Sequence, residues 1–455
     1  MEKPAATPAI RPFQVSHRLI LSIAVPMTVA YMTTPLLGIV DTAVVGQFGD
    51  AAMLGGLATG AVILDLVFAS FNFLRAGTSG LVAQAFGAGD DQEEQAVLLR
   101  AVAVALSIGL ATLLLAPLII DMGGWFMAAG PDVTHAMALY LGIRILAAPL
   151  SLANYALLGY VLGRGEGGTG FALQLLLNGT NIALSFLLGL KLGWGIEGVA
   201  WATVIAELAA ALCGFILVFL RFRRARRPNL ARLVDTTALI RMFAINGDIM
   251  IRSFVLLAAF ALFTRAGAAL GEVPLAANAI LMNFFLVAGY MLDGFATAAE
   301  QLAGRAIGAR YRQAFVQAVR MTAIWGFALA ALLSAAACLA GGLMIEAVTP
   351  SPDIRAAAVT FLPWAALTAV SGVAAFQMDG VYIGATWSRD MRNMMLLSFA
   401  AYAAALALFG NWWGNHGNWA ALHLFLIVRG ISLYAIYPHR LNRSFADVGA
   451  STRTA

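Results

Sequence analysis

Residues 19–48 read LILSIAVPMTVAYMTTPLLGIVDTAVVGQF, an apolar stretch whose one charge is Asp41 and which also holds Pro26 and Pro35. As a helix it exceeds the roughly 30 Å hydrocarbon core of a bilayer, so it predicts a first membrane crossing. A carboxylate at that depth is costly unless it is protonated, paired or open to a water-filled cavity, which makes Asp41 a candidate ion site. The two prolines remove backbone hydrogen bonds and make the same helix bendable, so a change of charge at Asp41 can become a change of shape.

The whole chain has this character. Of 455 residues, 61% are hydrophobic and only 11% charged, outside the range of soluble domains and typical of a polytopic helical membrane protein. Runs such as 101–120 and 199–220 have helical length, which excludes a barrel. The first apolar stretch is too long for a signal peptide and lacks a cleavage site, so it is read as retained. Cys213 and Cys338 both fall in apolar runs and predict buried, inert thiols, with neither a disulfide framework nor a metal-ligand spacing.

The apolar runs and their polar or glycine-rich breaks predict twelve crossings, at about 17–45, 52–85, 96–118, 133–162, 170–190, 197–220, 240–265, 273–304, 313–345, 355–385, 392–411 and 419–438. The expected organisation is an N-terminal tail (1–16), a six-helix lobe (17–220), a basic linker (221–239), a second six-helix lobe (240–438) and a C-terminal tail (439–455). About 21 of the 28 Lys and Arg fall at the termini or in breaks after even-numbered helices, against Lys191, Arg265 and Arg355 on the other face, which predicts cytoplasmic termini. The cluster Arg221, Arg223, Arg224, Arg226, Arg227 and Arg232 is read as a topology determinant near anionic lipid rather than a nucleic-acid site.

The two halves resemble each other. Ala85-Phe86-Gly87-Ala88-Gly89 recurs as Ala306-Ile307-Gly308-Ala309-Arg310, and Gly159 and Gly163 match Gly380 and Gly384, all at an offset of 221 residues. Six helices per half keep both halves in the same orientation, so the repeat is parallel, about an axis along the membrane normal, an arrangement transporters use.

At this point the sequence resembles the multidrug and toxic compound extrusion (MATE) transporters, particularly their DinF-like branch. The matching residues are Gly38-Ile39-Val40-Asp41-Thr42 with Val45-Gly46, then Phe73-Leu74-Arg75-Ala76-Gly77-Thr78-Ser79-Gly80 running into Ala83-Gln84-Ala85-Phe86-Gly87-Ala88-Gly89. Gly198-Val199-Ala200-Trp201-Ala202-Thr203, Asp293-Gly294-Phe295-Ala296 and Asp379-Gly380-Val381-Tyr382-Ile383-Gly384-Ala385 complete it, across about residues 17–440. The resemblance implies two six-helix lobes around a V-shaped cavity and export of a substrate as protons or sodium ions enter. It further implies that Asp41 works with Asn181, Thr203 and, more weakly, Asn154. Many relatives carry a second acid one turn after the asparagine of the fifth helix, but here that position is Ser185. Ser185 shares a face with Asn181 yet supplies no charge, which favours a proton over sodium as the coupling ion.

The second half carries its own acids. Asp248, Asp293 and Asp379 are candidates for lining the pathway; Asp248 and Arg252 stand one turn apart, so a mutual ion pair is the leading reading there, whereas Asp293 and Asp379, each followed by glycine, have no such neighbour. Asp65, Arg75, Arg144 and Glu207 are also embedded, with pairing between helices the default reading. The glycine-rich run 163–168 joins two apolar helices and is no phosphate loop, His416 and His423 lack a metal-ligand motif, and Asp90, Asp91, Glu93 and Glu94 read as a solvated helix start.

Together these readings predict an exporter of amphiphilic, often cationic, small molecules in a bacterial-type inner membrane, driven by protons or, second, sodium. Translocation of a lipid-linked substrate is the alternative. No convergent catalytic cluster supports a membrane transferase, and no cofactor, metal, nucleic acid or obligatory protein partner is implied beyond substrate and membrane lipid.

Overall fold

The protein is described by a computed structural model over residues 10–223, 225 and 227–446, and helices are the regular secondary structure of those residues. In chain order the helices are α1 (His17–Gly46), α2 (Ala51–Ala69), α3 (Phe73–Ala88), α4 (Asp91–Leu114), α5 (Ala116–Met127), α6 (Pro131–Ile145), α7 (Ala148–Gly163) and α8 (Gly167–Leu184), the last continued by a π-helical turn, Ser185–Lys191. There follow α9 (Gly195–Phe222), α10 (Leu230–Leu233), α11 (Thr236–Ala269), α12 (Glu272–Gly308), α13 (Arg312–Val348), α14 (Pro352–Gly384), α15 (Ser388–Trp413) and α16 (Asn415–Ser444). Arg224 and Arg226 of the expected basic linker, and the outer parts of both tails, lie outside the described residues.

Eleven helices among the described residues are long and apolar enough to cross a membrane, and the bent pair α6–α7 makes a twelfth crossing if taken as one span. These are the twelve segments expected from the sequence, with three differences of detail. The second is broken at residues 70–72 between α2 and α3. The fourth bends by 52° between α6 and α7, where Pro149 opens α7 without a backbone donor. The third ends at Leu114, and the residues beyond it form α5, whose Leu118, Met122, Trp125 and Phe126 present an exposed apolar face suited to a membrane interface.

Two compact units divide the chain, and they do not follow it strictly in order. One comprises residues through Thr28, Ala83–Asp90 and Gly247 onward; the other comprises Val29–Val82 and Asp91–Asn246. Helix α1 therefore contributes its first turns to one unit and Asp41 to the other. Within the first unit, Thr28 Oγ1 donates to the Met291 carbonyl (3.2 Å), and Gly294 of α12 lies so close to α1 that a Cβ there would strike Thr28 and the Ala24 carbonyl. Its core centres on Phe263, Leu281, Tyr402, Trp419 and Phe425. The other unit packs one core around Val45, Leu64, Met137, Tyr140 and Val199 and another around Val82, Leu157 and Tyr160.

The internal repeat is visible as packing. A Cβ on Gly159 or Gly163 of α7 would lie 2.5 Å from the Arg75 carbonyl oxygen and 2.6 Å from that of Ser79, both on α3. In the other unit, Gly380 and Gly384 of α14 press in the same way on the carbonyls of Ala296 and Glu300 of α12. Each glycine and each carbonyl is displaced by the same 221 positions. The end of α3 makes a reciprocal version of this contact with α12, Gly87 against the Arg305 carbonyl and Gly308 against that of Gln84.

Several local expectations are corrected. Cys213 and Cys338 are exposed on the helical surface, not buried. Glu94 is not solvated but 2% exposed, held by Arg164, whose Nε also bonds Glu166 (3.0 Å), which in turn accepts from Arg221 (2.7 Å). The linker is partly ordered by α10, capped by Asn229 and fastened to α4 through Arg100, which donates to the Leu233 carbonyl (3.2 Å).

Gly308→Val should lower the melting temperature of the purified protein in detergent, at a cost of about 1–3 kcal/mol for the overpacked contact. Gly342→Ala, at a helical glycine with open space around it, should leave the melting temperature unchanged. Equal melting of both variants would remove close backbone approach as the reason for these glycines.

Candidate functional site

Asp41 is 8% exposed, in the last turns of α1. Its carboxylate accepts a hydrogen bond from Ser185 Oγ (3.0 Å), the first residue of the π-helical turn after α8. Two turns earlier on α1, Thr33 Oγ1 accepts from Asn178 Nδ2 of α8 (2.6 Å). Both pairs advance in the same direction along the two helices, so α1 and α8 run parallel, as the first and fifth crossings of a bundle must. On α8 and its continuation, Asn178, Asn181 and Ser185 follow at intervals of three and four and form one polar stripe.

Asn181 extends the stripe to α9, where its Nδ2 donates to Thr203 Oγ1 (2.7 Å) and Thr203 donates onward to the Val199 carbonyl (3.3 Å). The Asn181 Oδ1 is buried and has no hydrogen-bond partner, which leaves one acceptor in this cluster unspent. The π turn is closely packed on its neighbours. Gly198 of α9 lies against the backbone of Leu188 and Gly189, and Gly189 lies against Val44 and Val199, so α1, the π turn and α9 meet on glycine surfaces. A π turn of this kind commonly marks a functional position in a helix.

The expected residues therefore divide. Asp41 and Ser185 are bonded, Asn181 and Thr203 are bonded, and all four belong to one unit. Asn154 turns elsewhere, its Nδ2 donating to the backbone carbonyl (2.9 Å) and to Oε2 (2.7 Å) of Glu207 on α9. Sequence reasoning missed Thr33, Asn178 and the role of Arg144. The guanidinium of Arg144, 5.8 Å over the Tyr140 ring, is the cation that acts through space on both Asp41 and Glu207. The three-and-four spacing of Asn178, Asn181 and Ser185 was the available clue to Asn178.

In the other unit the acids are arranged differently. Asp379 on α14 is 5% exposed, and its Oδ2 accepts from both Arg252 of α11 and Arg429 of α16. Asp248 accepts from Arg392 (2.6 Å) and from Ser388 (2.8 Å). The expected Asp248–Arg252 pair is thus replaced by two pairs to distant helices, because the two side chains, one turn apart on α11, point toward different neighbours. Asp293 is half-buried on α12, and its backbone carbonyl accepts from Thr297 (2.8 Å). Arg429, 2% exposed, was not singled out from the sequence, although a lone arginine inside an apolar crossing demands a carboxylate partner.

Twelve apolar crossings, a parallel internal repeat and a buried carboxylate bonded to a neutral hydroxyl define a multi-pass membrane transporter. The chain belongs to the MatE family, which matches residues 26–187 and 249–409. It is 37% identical to the DNA damage-inducible protein F of Escherichia coli strain K12 over 93% of this chain and 92% of that protein. It is 28% identical to a probable multidrug resistance protein NorM of Caulobacter vibrioides over 64% of this chain and 63% of that one. A solved outward-facing conformation of a multidrug resistance MATE family transporter of the MOP superfamily shares the fold, with a TM-score of 0.84 at 18% identity over 94% of this chain and 96% of that one. The protein is accordingly a MATE efflux transporter of the DinF-like branch that handles small-molecule substrates, and not an enzyme.

Loss of Asp379 should cost more stability than loss of either arginine, because it leaves two buried cations uncompensated. Asp379→Asn is expected to destabilise by about 3–5 kcal/mol and Arg429→Met by less, since Asp379 keeps Arg252. Thermal unfolding of both variants in the same detergent checks the order, and a reversed order would contradict a neutralising role for the arginines.

Proposed function

We propose that this transporter works by alternating access, exporting amphiphilic and often cationic small molecules in exchange for protons that bind at Asp41. The reading is supported most by one contrast. Asp41 is bonded to a neutral hydroxyl, whereas Asp248 and Asp379 are already bonded to arginines. A carboxylate on a neutral donor can take up and release a proton without breaking an ion pair, and a carboxylate clasped by two guanidinium groups cannot. Ser185, where a second acid would strengthen a sodium site, adds only a neutral oxygen, and this favours the proton. Asn181 and Thr203 would shape the polar surroundings of Asp41, with Asn154 holding Glu207 in place on the neighbouring helix. The setting is the inner membrane of a bacterial-type cell, with both termini on the cytoplasmic side.

Pro26 and Pro35 give the proposal its mechanics. Helix α1 runs unbroken through both, yet neither can donate to the carbonyl one turn earlier, so bending there costs less than elsewhere in the helix. Pro26 lies among the turns of α1 grouped with α12, while Pro35 and Asp41 lie among those grouped with α8 and α9. Protonation of Asp41 would shift the balance between bent and straight forms of this one helix.

Two experiments test the reading. In sealed liposomes with proton and sodium gradients imposed separately, the wild type should export only with the proton gradient, and Asp41→Asn should fall to background while inserting and melting normally. Export driven by sodium alone, or normal coupled export by the variant, would remove the proton or Asp41 from the mechanism. Pro26→Ala restores a backbone donor and should reduce turnover more than substrate affinity, both measured on one preparation. Unchanged turnover would detach bending of α1 from transport.

A further inference from the structure

On the surface of the unit that contains α13, α14 and α16, a groove of about 880 Å³ runs between the three helices. It is walled by apolar side chains such as Phe327, Val370, Ile427 and Ile431. Through Phe327 and Tyr434 it passes directly into a second groove of about 610 Å³, whose far end holds Tyr437 and Arg320. Among the described residues no carboxylate lines either groove.

The polar groups along the way are already committed. His423 Nε2 is 3.0 Å from the Trp364 carbonyl, Ser371 Oγ donates to the Thr368 carbonyl (3.2 Å), and the Tyr434 hydroxyl donates to Gln377 (2.8 Å). Gln377 is bonded in turn to the Val319 carbonyl and Thr322 (both 3.1 Å). Besides the Tyr437 hydroxyl, Arg320 is the exception. Among the described residues its exposed guanidinium has no hydrogen bond or ion pair, and it is the one cation lining the grooves. The positive charge of Arg312, eight residues earlier on α13, acts on Tyr437 at the same end.

We propose that this groove is a binding site for one anionic phospholipid, with its phosphate on Arg320 and beside Tyr437 and its acyl chains along Phe327, Ile427 and Ile431. Three observations converge on that occupant. An arginine on a membrane-spanning helix needs an anion, and the described residues supply none here. Tyrosine and arginine near a helix end are the residues that meet lipid headgroups, and basic pockets between spanning helices bind anionic ones. From His423 to Tyr437 the groove follows α16 for roughly 21 Å, enough for the acyl region of one leaflet in a core of roughly 30 Å. The charge at one end and the apolar length behind it match an amphiphile whose headgroup is negative, opposite in sign to a cationic export substrate.

The site can be tested on the full-length protein in nanodiscs of equal phosphatidylglycerol and phosphatidylcholine, released into native mass spectrometry. The wild type should retain one phosphatidylglycerol in preference to phosphatidylcholine. Arg320→Gln should reduce that preference about fivefold, the loss expected for one cation near a membrane surface. Ile431→Trp, which fills the groove at an exposed position, should reduce retention of both lipids. Neither substitution touches the core, so melting temperatures should stay at the wild-type value. An undiminished preference in Arg320→Gln would overturn the proposal. So would displacement of the retained lipid by ethidium, which would assign the groove to substrate, or an Ile431-dependent dimer, which would assign it to a second copy of the chain.

Discussion

The architecture rests on glycine backbones pressed against carbonyl oxygens of neighbouring helices. In a membrane there is little hydrophobic gain in bringing two apolar helices together, so association depends on close packing, and only small residues permit it. Gly159 and Gly163 set the distance between α7 and α3, and Gly380 and Gly384 set that between α14 and α12. The same device recurs where Gly198 meets the π turn beside Asp41, so the geometry that fixes the scaffold also positions the carboxylate.

The charges follow a second constraint, that no carboxylate or guanidinium in hydrocarbon is left without a counterpart unless function uses it. Asp379 has two arginines, Asp248 has one, and Glu94 belongs to a chain that runs through Arg164 and Glu166 to Arg221. Against that background Asp41 on Ser185 and Glu207 on Asn154 stand out as carboxylates whose direct hydrogen-bond partners are neutral, and Arg320 in its groove as a guanidinium with no ion pair among the described residues. The stretch of α11 that corresponds to the end of α1, residues 258–269, contains no acid at all. The symmetrical scaffold thus carries its candidate ion site on one half.

The twelve crossings were legible because each is a run of apolar residues long enough to declare itself, whatever it packs against. The repeat was legible because close approach tolerates nothing but glycine, which preserved one offset in both halves. Asp41, Ser185, Asn181 and Thr203 could be grouped because the resemblance supplied the pairing of helices. What the sequence hid was the direction each side chain faces. When nearly every residue of a helix is apolar, periodicity no longer marks the inner face, so Cys213 and Cys338 read as buried and are exposed. Nearness in sequence suggested Asp248 with Arg252, while the partner of Arg252 lies on α14 and that of Asp248 on α15. Asn154 went to Glu207 for the same reason, since two crossings far apart in sequence met on faces that no local pattern marks.

The contact between the ends of α3 and α12 is reciprocal: Gly87 meets the carbonyl of Arg305, and Gly308 meets that of Gln84, the residues that correspond to one another at an offset of 221. An interface in which residue i touches j while j's counterpart touches i's is isologous, the kind formed by two identical subunits about a twofold axis. In a self-pairing single half, one glycine codon would have served both sides, and a single substitution would have damaged the contact twice. Fusion of the halves separates that burden into two codons. Either side can now drift without the other, which is the freedom a duplicated chain needs before one half can specialise.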